Sequence, residues 1–196
     1  MGKITAVFLD RDGTINEEVG YLDSLDKLKI IPAAYEAIRL INLSGMKAIV
    51  VTNQSGVARG FFNEKLVRQT HEAIQAALLQ KKASIDKFYY CPHHPTEGTG
   101  IYLQNCNCRK PLPGMLLQAA HDLDIELGSS YMIGDTYRDM EAAKKVGVKG
   151  ILVKTGYGRE VLQNVDPDAA TAGNNPDFVA EDILEAVKWI MKDRIE

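Results

Sequence analysis

The sequence predicts an α/β fold: a mainly parallel sheet with helices on both faces, three layers in all. Two observations carry this. Short apolar runs alternate along the chain with segments of helical spacing, as the strands and crossover helices of a parallel sheet do. Polar, chemistry-bearing clusters follow directly after three of those runs, and such sheets bind ligands at the carboxyl ends of their strands. At 196 residues the chain is expected to form one domain, residues 1–196, with room for a sizeable core.

The elements follow in order. Ile4 to Leu9 reads as a buried strand. Ala33 to Leu43 has helical spacing at Ala34, Ala37, Ile38 and Ile41, with Gly45 as its stop. Lys47 to Val51 is a strand rich in β-branched residues, and Asn63 caps a long helix running to about Lys81. Lys87 to Tyr90 is a third strand and Gly114 to Leu123 a helix. Ser130 to Ile133 (strand), Thr136 to Val146 (helix) and Val148 to Val153 (strand) come next. Asp182 to Lys192 closes the chain as a helix with Ile183, Leu184, Val187, Ile190 and Met191 on one face. Thr155 to Asp177, dense in Gly, Asn, Asp and Pro, is predicted to be a surface loop.

Composition narrows the function classes. Hydrophobic residues at 45% and charged residues at 25% are the balance of an ordinary globular protein. Formal net charge is −3 with no basic block, so no nucleic-acid partner is expected. The first ten residues hold one short apolar run, too short for a leader or a membrane span, so a cytoplasmic location and no membrane partner are expected. A monomer is expected. Cys91, Cys106 and Cys108 are an odd number, close together, and read as metal ligands rather than a disulfide framework.

The motifs carry the chemistry. Asp10 and Asp12 lie two residues apart directly after a buried strand. A turn explains Asp12-Gly13, but not why another acid ends the strand. A carboxylate pair at a pocket mouth suits one group that attacks and one that handles protons. Thr52-Asn53-Gln54-Ser55 alone reads as a capped loop; after the second strand it offers hydroxyl, amide and backbone donors to phosphate oxygens. Arg109-Lys110-Pro111 reads either as a solvated pair before a helix or as anchored cations that offset a phosphate's charge. Thr136 and Asp139 fit a capping box, while Asp135 ends a strand beside the same site. A second acid cluster facing Asp10 and Asp12 suits Mg²⁺, a hard cation. Cys91-x-His93 and Cys106-x-Cys108 give three thiolates and one imidazole in two close pairs, a closed tetrahedral set for structural Zn²⁺. His94 is an alternative fourth ligand. The zinc loop, at about residues 91–108, would brace Arg109 and Lys110.

In combination, Asp10-x-Asp12-Gly-Thr, Thr52, Lys110 and Gly134-Asp135-x-x-x-Asp139 resemble the four motifs of the haloacid dehalogenase (HAD) superfamily, in the same order. The resemblance implies a Rossmann-like α/β fold and a phosphatase in which Asp10 attacks phosphorus to form a phosphoaspartate. It implies that Asp12 protonates the leaving oxygen and then activates water. It assigns Mg²⁺ to Asp10, the backbone carbonyl of Asp12, and Asp135, and the phosphoryl group to Thr52, Asn53 and Lys110.

The zinc loop narrows this further. Tyr89-Tyr90-Cys91-Pro92-His93-His94-Pro95, Cys106-x-Cys108-Arg109-Lys110-Pro111, the run Thr52 to Gly60, and Asn16 to Tyr21 are similar to the heptose-1,7-bisphosphate 7-phosphatase family over roughly Ile4 to Gly156. This resemblance implies a phosphorylated-sugar substrate and a role in making nucleotide-activated heptose for lipopolysaccharide or surface glycans. Carried over by position, Asp10, Arg11, Asp12, Glu18, Val19, Gly20 and Tyr21 contact substrate. So do Thr52, Asn53, Gln54, Ser55, Arg109, Lys110 and Thr136, with Arg109 also in the catalytic set. The chain departs at Thr136, where some members carry a basic residue. Histidinol-phosphate phosphatase shares the aspartate pair and a similar zinc loop, but Ala58-Arg59-Gly60 favours the heptose enzyme. A polynucleotide 3′-phosphatase shares the Thr-Asn-Gln loop, and the acidic balance counts against it. A non-catalytic, zinc-stabilised binding module would not need both Asp10 and Asp12.

Overall fold

The structure, a computed structural model, describes residues 4–164 and 175–195. Among these, strands β1 (Ala6–Leu9), β2 (Lys47–Asn53), β3 (Lys87–Cys91), β4 (Tyr131–Gly134), β5 (Lys149–Val153) and β6 (Phe178–Ala180) form one sheet. Its order is β3-β2-β1-β4-β5-β6, and every neighbouring pair is parallel. The helices are α1 (Pro32–Leu43), α2 (Glu64–Leu79), α3 (Gly114–Leu123), α4 (Tyr137–Lys144), α5 (Gly158–Gln163) and α6 (Ile183–Asp193).

The pleat of β1 shows how the layers arise. Val7 and Leu9 face one core with Ile38 of α1, Ile74 of α2 and Val187 of α6. Ala6 and Phe8 face the other, with Leu116 of α3 and Ala142 of α4. Helices therefore cover both faces, and no residue of β1 is exposed to solvent, which is why the strand reads as an unbroken apolar run. Local signals set several ends. The Asn63 side chain accepts from Leu66 N–H to start α2, and Asp182 does the same for α6 through Leu184 and Glu185. Gly45, at φ +78°, follows α1.

Part of the expected loop at 155–177 is regular: residues 158–163 form α5, while 165–174 lie outside the described residues. Just beyond the loop, residues 178–180 form β6, a strand that the sequence does not signal. The glycine that reads as loop-forming at 158 is there because a Cβ would sit 1.8 Å from the Val153 carbonyl oxygen, so only glycine lets α5 approach the end of β5. β6 is three residues long and is held by its pairing with β5 and by Phe178 stacking on Trp189 of α6, 5.1 Å between ring centroids. Neither signal is local. No helix among the described residues is long and apolar enough to cross a membrane.

The chain builds outward from β1 through β2 to β3, then returns beside β1 as β4 and builds the other way. The carboxyl ends of β1 and β4 are therefore neighbours at a topological switch point, where such sheets open a crevice.

Candidate active site

Asp10 leaves β1 at that crevice, and its N–H donates to Ile133 O of β4 at 2.9 Å. The next residues form a tight turn in which the N–H groups of Thr14, Ile15 and Asn16 converge on Arg11 O. Asp135 leaves β4 beside it, and Asp139 stands in the first turn of α4, where its Oδ2 accepts from Thr136 N–H and Oγ1. The capping role expected of Asp139 is met, but its other oxygen belongs to the site.

Lys110 joins these acids. Its Nζ is 2.9 Å from Asp10 Oδ1, 2.7 Å from Asp139 Oδ1 and 2.8 Å from Val51 O, three acceptors for three ammonium protons. Asn53 fixes the lysine in place: its Nδ2 donates to Lys110 O and its Oδ1 accepts from Lys110 N–H, both at 3.0 Å. The Asn53 oxygen and one of its two Nδ2 hydrogens are thus committed to Lys110, so the side chain expected to hold phosphate also positions the lysine.

Asp10, Asp135 and Asp139 each offer an oxygen, and these lie within 4.8 Å of one another. Burial, opposed by Lys110, pushes Asp10 up to about 7, with Asp139 and Asp12 adding to the rise. Burial, then Asp10 and Asp139, pushes Asp135 up to about 8. Burial works against the charge on Lys110, but the two carboxylates outweigh it and raise its pKa. One buried ammonium, paired with Asp10 and Asp139, is set against three carboxyl groups, two of them buried and Asp10 partly so. That charge deficit and the all-oxygen donor set fit a hard divalent cation.

Asp12 is held differently. Arg11, 2% exposed, grips it with Nη2 at 2.7 and 2.6 Å from the two oxygens and Nε at 3.1 Å. Asn16 Nδ2 and Gln54 Nε2 add bonds of 2.9 and 2.8 Å. Burial opposes the charge, but Arg11 foremost, then Asn16 and Gln54, keep this carboxyl below its usual range. Asp12 is therefore a carboxylate here, ready as a base. To act as an acid it must take up a proton and give up the Arg11 pair. Its side chain is outside the three-acid cluster, which leaves only its backbone carbonyl for a metal.

A cavity of about 240 Å³ opens over these groups. Of the expected substrate contacts, Asp10, Arg11, Asp12, Glu18, Gly20, Tyr21, Thr52, Asn53, Gln54, Ser55, Arg109, Lys110 and Thr136 line it. Val19 does not; it is 41% exposed beside the cavity mouth. Glu18 is turned back on Gly20 N–H, and Tyr21 packs edge-on to Phe61 with centroids 4.5 Å apart. Phe62, Arg138 and Tyr157 also line the cavity, and the sequence motifs do not point to them. Tyr157 follows β5, so the strand-end rule alone would have pointed to it. Arg138 is in the first turn of α4, three residues after Asp135, with no ion-pair partner among the described residues. Arg109 donates to His93 O, and burial, then Arg138 and Arg59, work against its charge.

The cysteine cluster forms as expected. The Sγ atoms of Cys91, Cys106 and Cys108 are 3.1 to 3.5 Å apart, too far for disulfides, and His93 Nδ1 is 3.4 Å from Cys108 and 3.8 Å from Cys91. The four ligand atoms lie within 4.8 Å of one another, a soft set that fits zinc. His94 is not the fourth ligand. Its Nδ1 accepts from Glu97 N–H at 2.9 Å, and its Nε2 faces Arg59. The cluster sits where β3 ends, and Arg109 and Lys110 follow Cys108 directly.

The parallel sheet, the aspartates at its switch point and the buried lysine together define a hydrolase of the HAD class. A family model described as HAD-hydrolase-like matches residues 107–186. The D-glycero-beta-D-manno-heptose-1,7-bisphosphate 7-phosphatase of Escherichia coli (strain K12) is 40% identical over 193 residues, 97% of this chain and 96% of its own length. The protein of that name from Pasteurella multocida (strain Pm70) is 47% identical over 152 residues, 77% of this chain and 82% of its own. The crystal structure of D,D-heptose 1,7-bisphosphate phosphatase from B. bronchiseptica, complexed with magnesium and phosphate, superimposes with a TM-score of 0.83 at 32% identity, covering 97% of this chain and 99% of that one. The chain belongs to this family of heptose-bisphosphate 7-phosphatases.

Proposed function

We propose that this protein is a Mg²⁺-dependent phosphatase that removes the 7-phosphate of D-glycero-D-manno-heptose 1,7-bisphosphate. The observation that carries the reading is Lys110 clamped between Asp10 and Asp139 at the switch point, with Asp135 beside them. The product, a heptose 1-phosphate, retains the anomeric phosphate that nucleotide activation needs.

Asp10, the Asp12 backbone carbonyl and Asp135 would hold Mg²⁺, which when bound neutralises phosphoryl charge among carboxylates. The Thr52 hydroxyl, which accepts from Gln54 Nε2 and keeps its own proton, donates to the phosphoryl group, and the positive charge of Lys110 beside Asp10 offsets the phosphoryl charge. Asp10 attacks phosphorus; its O–P bond forms as the bond to the sugar oxygen breaks, leaving a phosphoaspartate. The departing oxygen takes a proton from Asp12. Asp12 then takes a proton from water, whose oxygen attacks the phosphoaspartate and releases phosphate and Asp10. Arg11 favours the second of these states of Asp12, because the bidentate pair stabilises the carboxylate. The non-reacting phosphate would be held by Arg109 and Arg138, which line the cavity beside Arg11 and Lys110 and are not engaged with Asp10 or Asp12. Cys91, His93, Cys106 and Cys108 would hold one Zn²⁺, which would brace the loop that carries Arg109 and Lys110.

The experiment is a substrate panel with Mg²⁺: both anomers of heptose 1,7-bisphosphate, histidinol phosphate and a 3′-phosphorylated oligonucleotide. A heptose bisphosphate should be preferred by orders of magnitude in kcat/KM. Equal or faster turnover of histidinol phosphate or the oligonucleotide would sink the assignment.

A further inference from the structure

The loop after β5 touches none of the reacting groups, yet it is built around a carboxylate beside them. Asp135 Oδ2 accepts the backbone N–H of Tyr157 at 2.9 Å. A glycine stands on either side of that oxygen, Gly13 at φ +78° and Gly156 at φ +53°. A Cβ on either would lie 2.1 Å from Oδ2, and a Cβ on Gly156 would also lie 2.6 Å from the Gly13 Cα. Each glycine is thus required twice, by its backbone angle and by the carboxylate pressed against it. Thr155 Oγ1 then donates to Gly13 O at 2.6 Å, tying this loop to the turn that follows Asp10 and Asp12. Oδ1 of Asp135 takes no hydrogen bond among the described residues.

We propose that Thr155, Gly156 and the Tyr157 amide form a positioning clamp that holds Asp135 by one oxygen and presents the other to the divalent cation. The clamp rests on the reading of Asp135 as a metal ligand. The physical reason is rotational. A carboxylate on a short side chain at a strand end can turn about two bonds. One N–H bond and the two glycine backbones pressed against the oxygen remove that freedom, so the orientation need not be set when the cation arrives. Outer interactions of this kind typically change metal affinity by about 10–100-fold. Joining the loop to Gly13 also couples the Asp135 ligand to the turn that supplies the others.

The test is Mg²⁺ binding to the zinc-loaded protein by calorimetry, with Mn²⁺ and electron paramagnetic resonance as a second readout. Gly156→Ala should weaken Mg²⁺ binding at least ~10-fold, and Thr155→Val, which keeps shape but loses the hydroxyl, by a smaller measurable factor. Gly147→Ala is the control. Gly147 also has a positive φ, +72°, but nothing lies within 4 Å of its Cβ position, so it carries strain without the clash. Its Mg²⁺ affinity should stay within about twofold of the parent if the effect is steric and local. Should Gly156→Ala not fold, Thr155→Val decides. Unchanged affinity in folded Thr155→Val, or an equal loss in Gly147→Ala, overturns the clamp. Asp135→Asn separates the two readings: if it binds Mg²⁺ normally, the metal assignment itself fails. If it loses Mg²⁺ while the loop variants do not, only the clamp fails.

Discussion

Lys110→Met tests the electrostatics of the site at its centre. The ammonium is 2% exposed and pairs with Asp10 and Asp139 at 2.9 and 2.7 Å. Removing one partner of a buried ion pair costs about 3–5 kcal/mol when the other charge is left stranded. Here the stranded groups can take up protons instead, so the cost depends on pH. Asp10 already sits at about 7 with Lys110 opposing burial, and it rises further without it. A carboxyl whose folded-state pKa lies above its unfolded value of 3.8 binds more protons folded than unfolded. Its contribution to stability is therefore present at low pH and lost as pH rises through the folded value. With Asp10 and Asp135 at about 7 and 8, the deficit of Lys110→Met relative to the parent should be small near pH 5 and grow through pH 8. For a domain of this size 1 kcal/mol shifts Tm by about 2–4 °C, so the deficit should reach roughly 6–20 °C at the alkaline end. The assay is thermal unfolding by circular dichroism in Mg²⁺-free buffer from pH 5 to 9 with zinc retained. Saturating Mg²⁺ should recover part of the loss by supplying the missing positive charge. A deficit that stays constant over this range would refute the reasoning.

Asp10→Asn should abolish turnover in a folded protein, since no neighbouring carboxylate can take the in-line position; substantial phosphate release at parent-like Tm would remove Asp10 from its role. Apparent Mg²⁺ affinity should rise from pH 6 to 8, because the cation competes with protons on Asp10 and Asp135, and a flat profile by calorimetry would contradict the assigned ligands. Arg138→Ala should raise KM for the bisphosphate by about 10-fold or more while leaving a heptose 7-monophosphate within about twofold, the loss of one charge-assisted contact. An equal effect on both substrates would place Arg138 outside the second phosphate's site. If Cys91, His93, Cys106 and Cys108 hold zinc, the parent should contain about one zinc per chain and Cys106→Ser less, with KM rising before Mg²⁺ binding is disturbed; no zinc in the parent, or equal zinc in the variant, by elemental analysis would count against the four-ligand set.

Much of the fold was legible because both faces of the sheet are dry. A strand buried on two sides must be apolar where it is buried, so Ala6–Leu9 and residues 48–51 of β2 stand out without knowledge of their partners. Strand-end chemistry was legible for the same reason: an acid or a Thr-Asn-Gln set directly after such a run has to sit at the sheet's edge. Soft ligands in two close pairs identified the cysteine cluster by type and spacing alone. What the chain order does not contain is which strand ends are neighbours. Only the placement of β4 beside β1 brings Asp135 to Asp10, and only folding shows that Lys110 is spent between Asp10 and Asp139 rather than free. The Asn53 amide reads as a phosphate donor; only the fold shows that it also holds the Lys110 backbone, 57 residues away. Gly156 reads as loop filler; its meaning is an oxygen of Asp135 that would lie 2.1 Å from its Cβ. Residue type, spacing and hydrophobic period are properties of the chain and determine what chemistry is available. Which polar groups are left free, and which are used up holding one another, depends on contacts across the sheet, and those exist only once the strands are ordered.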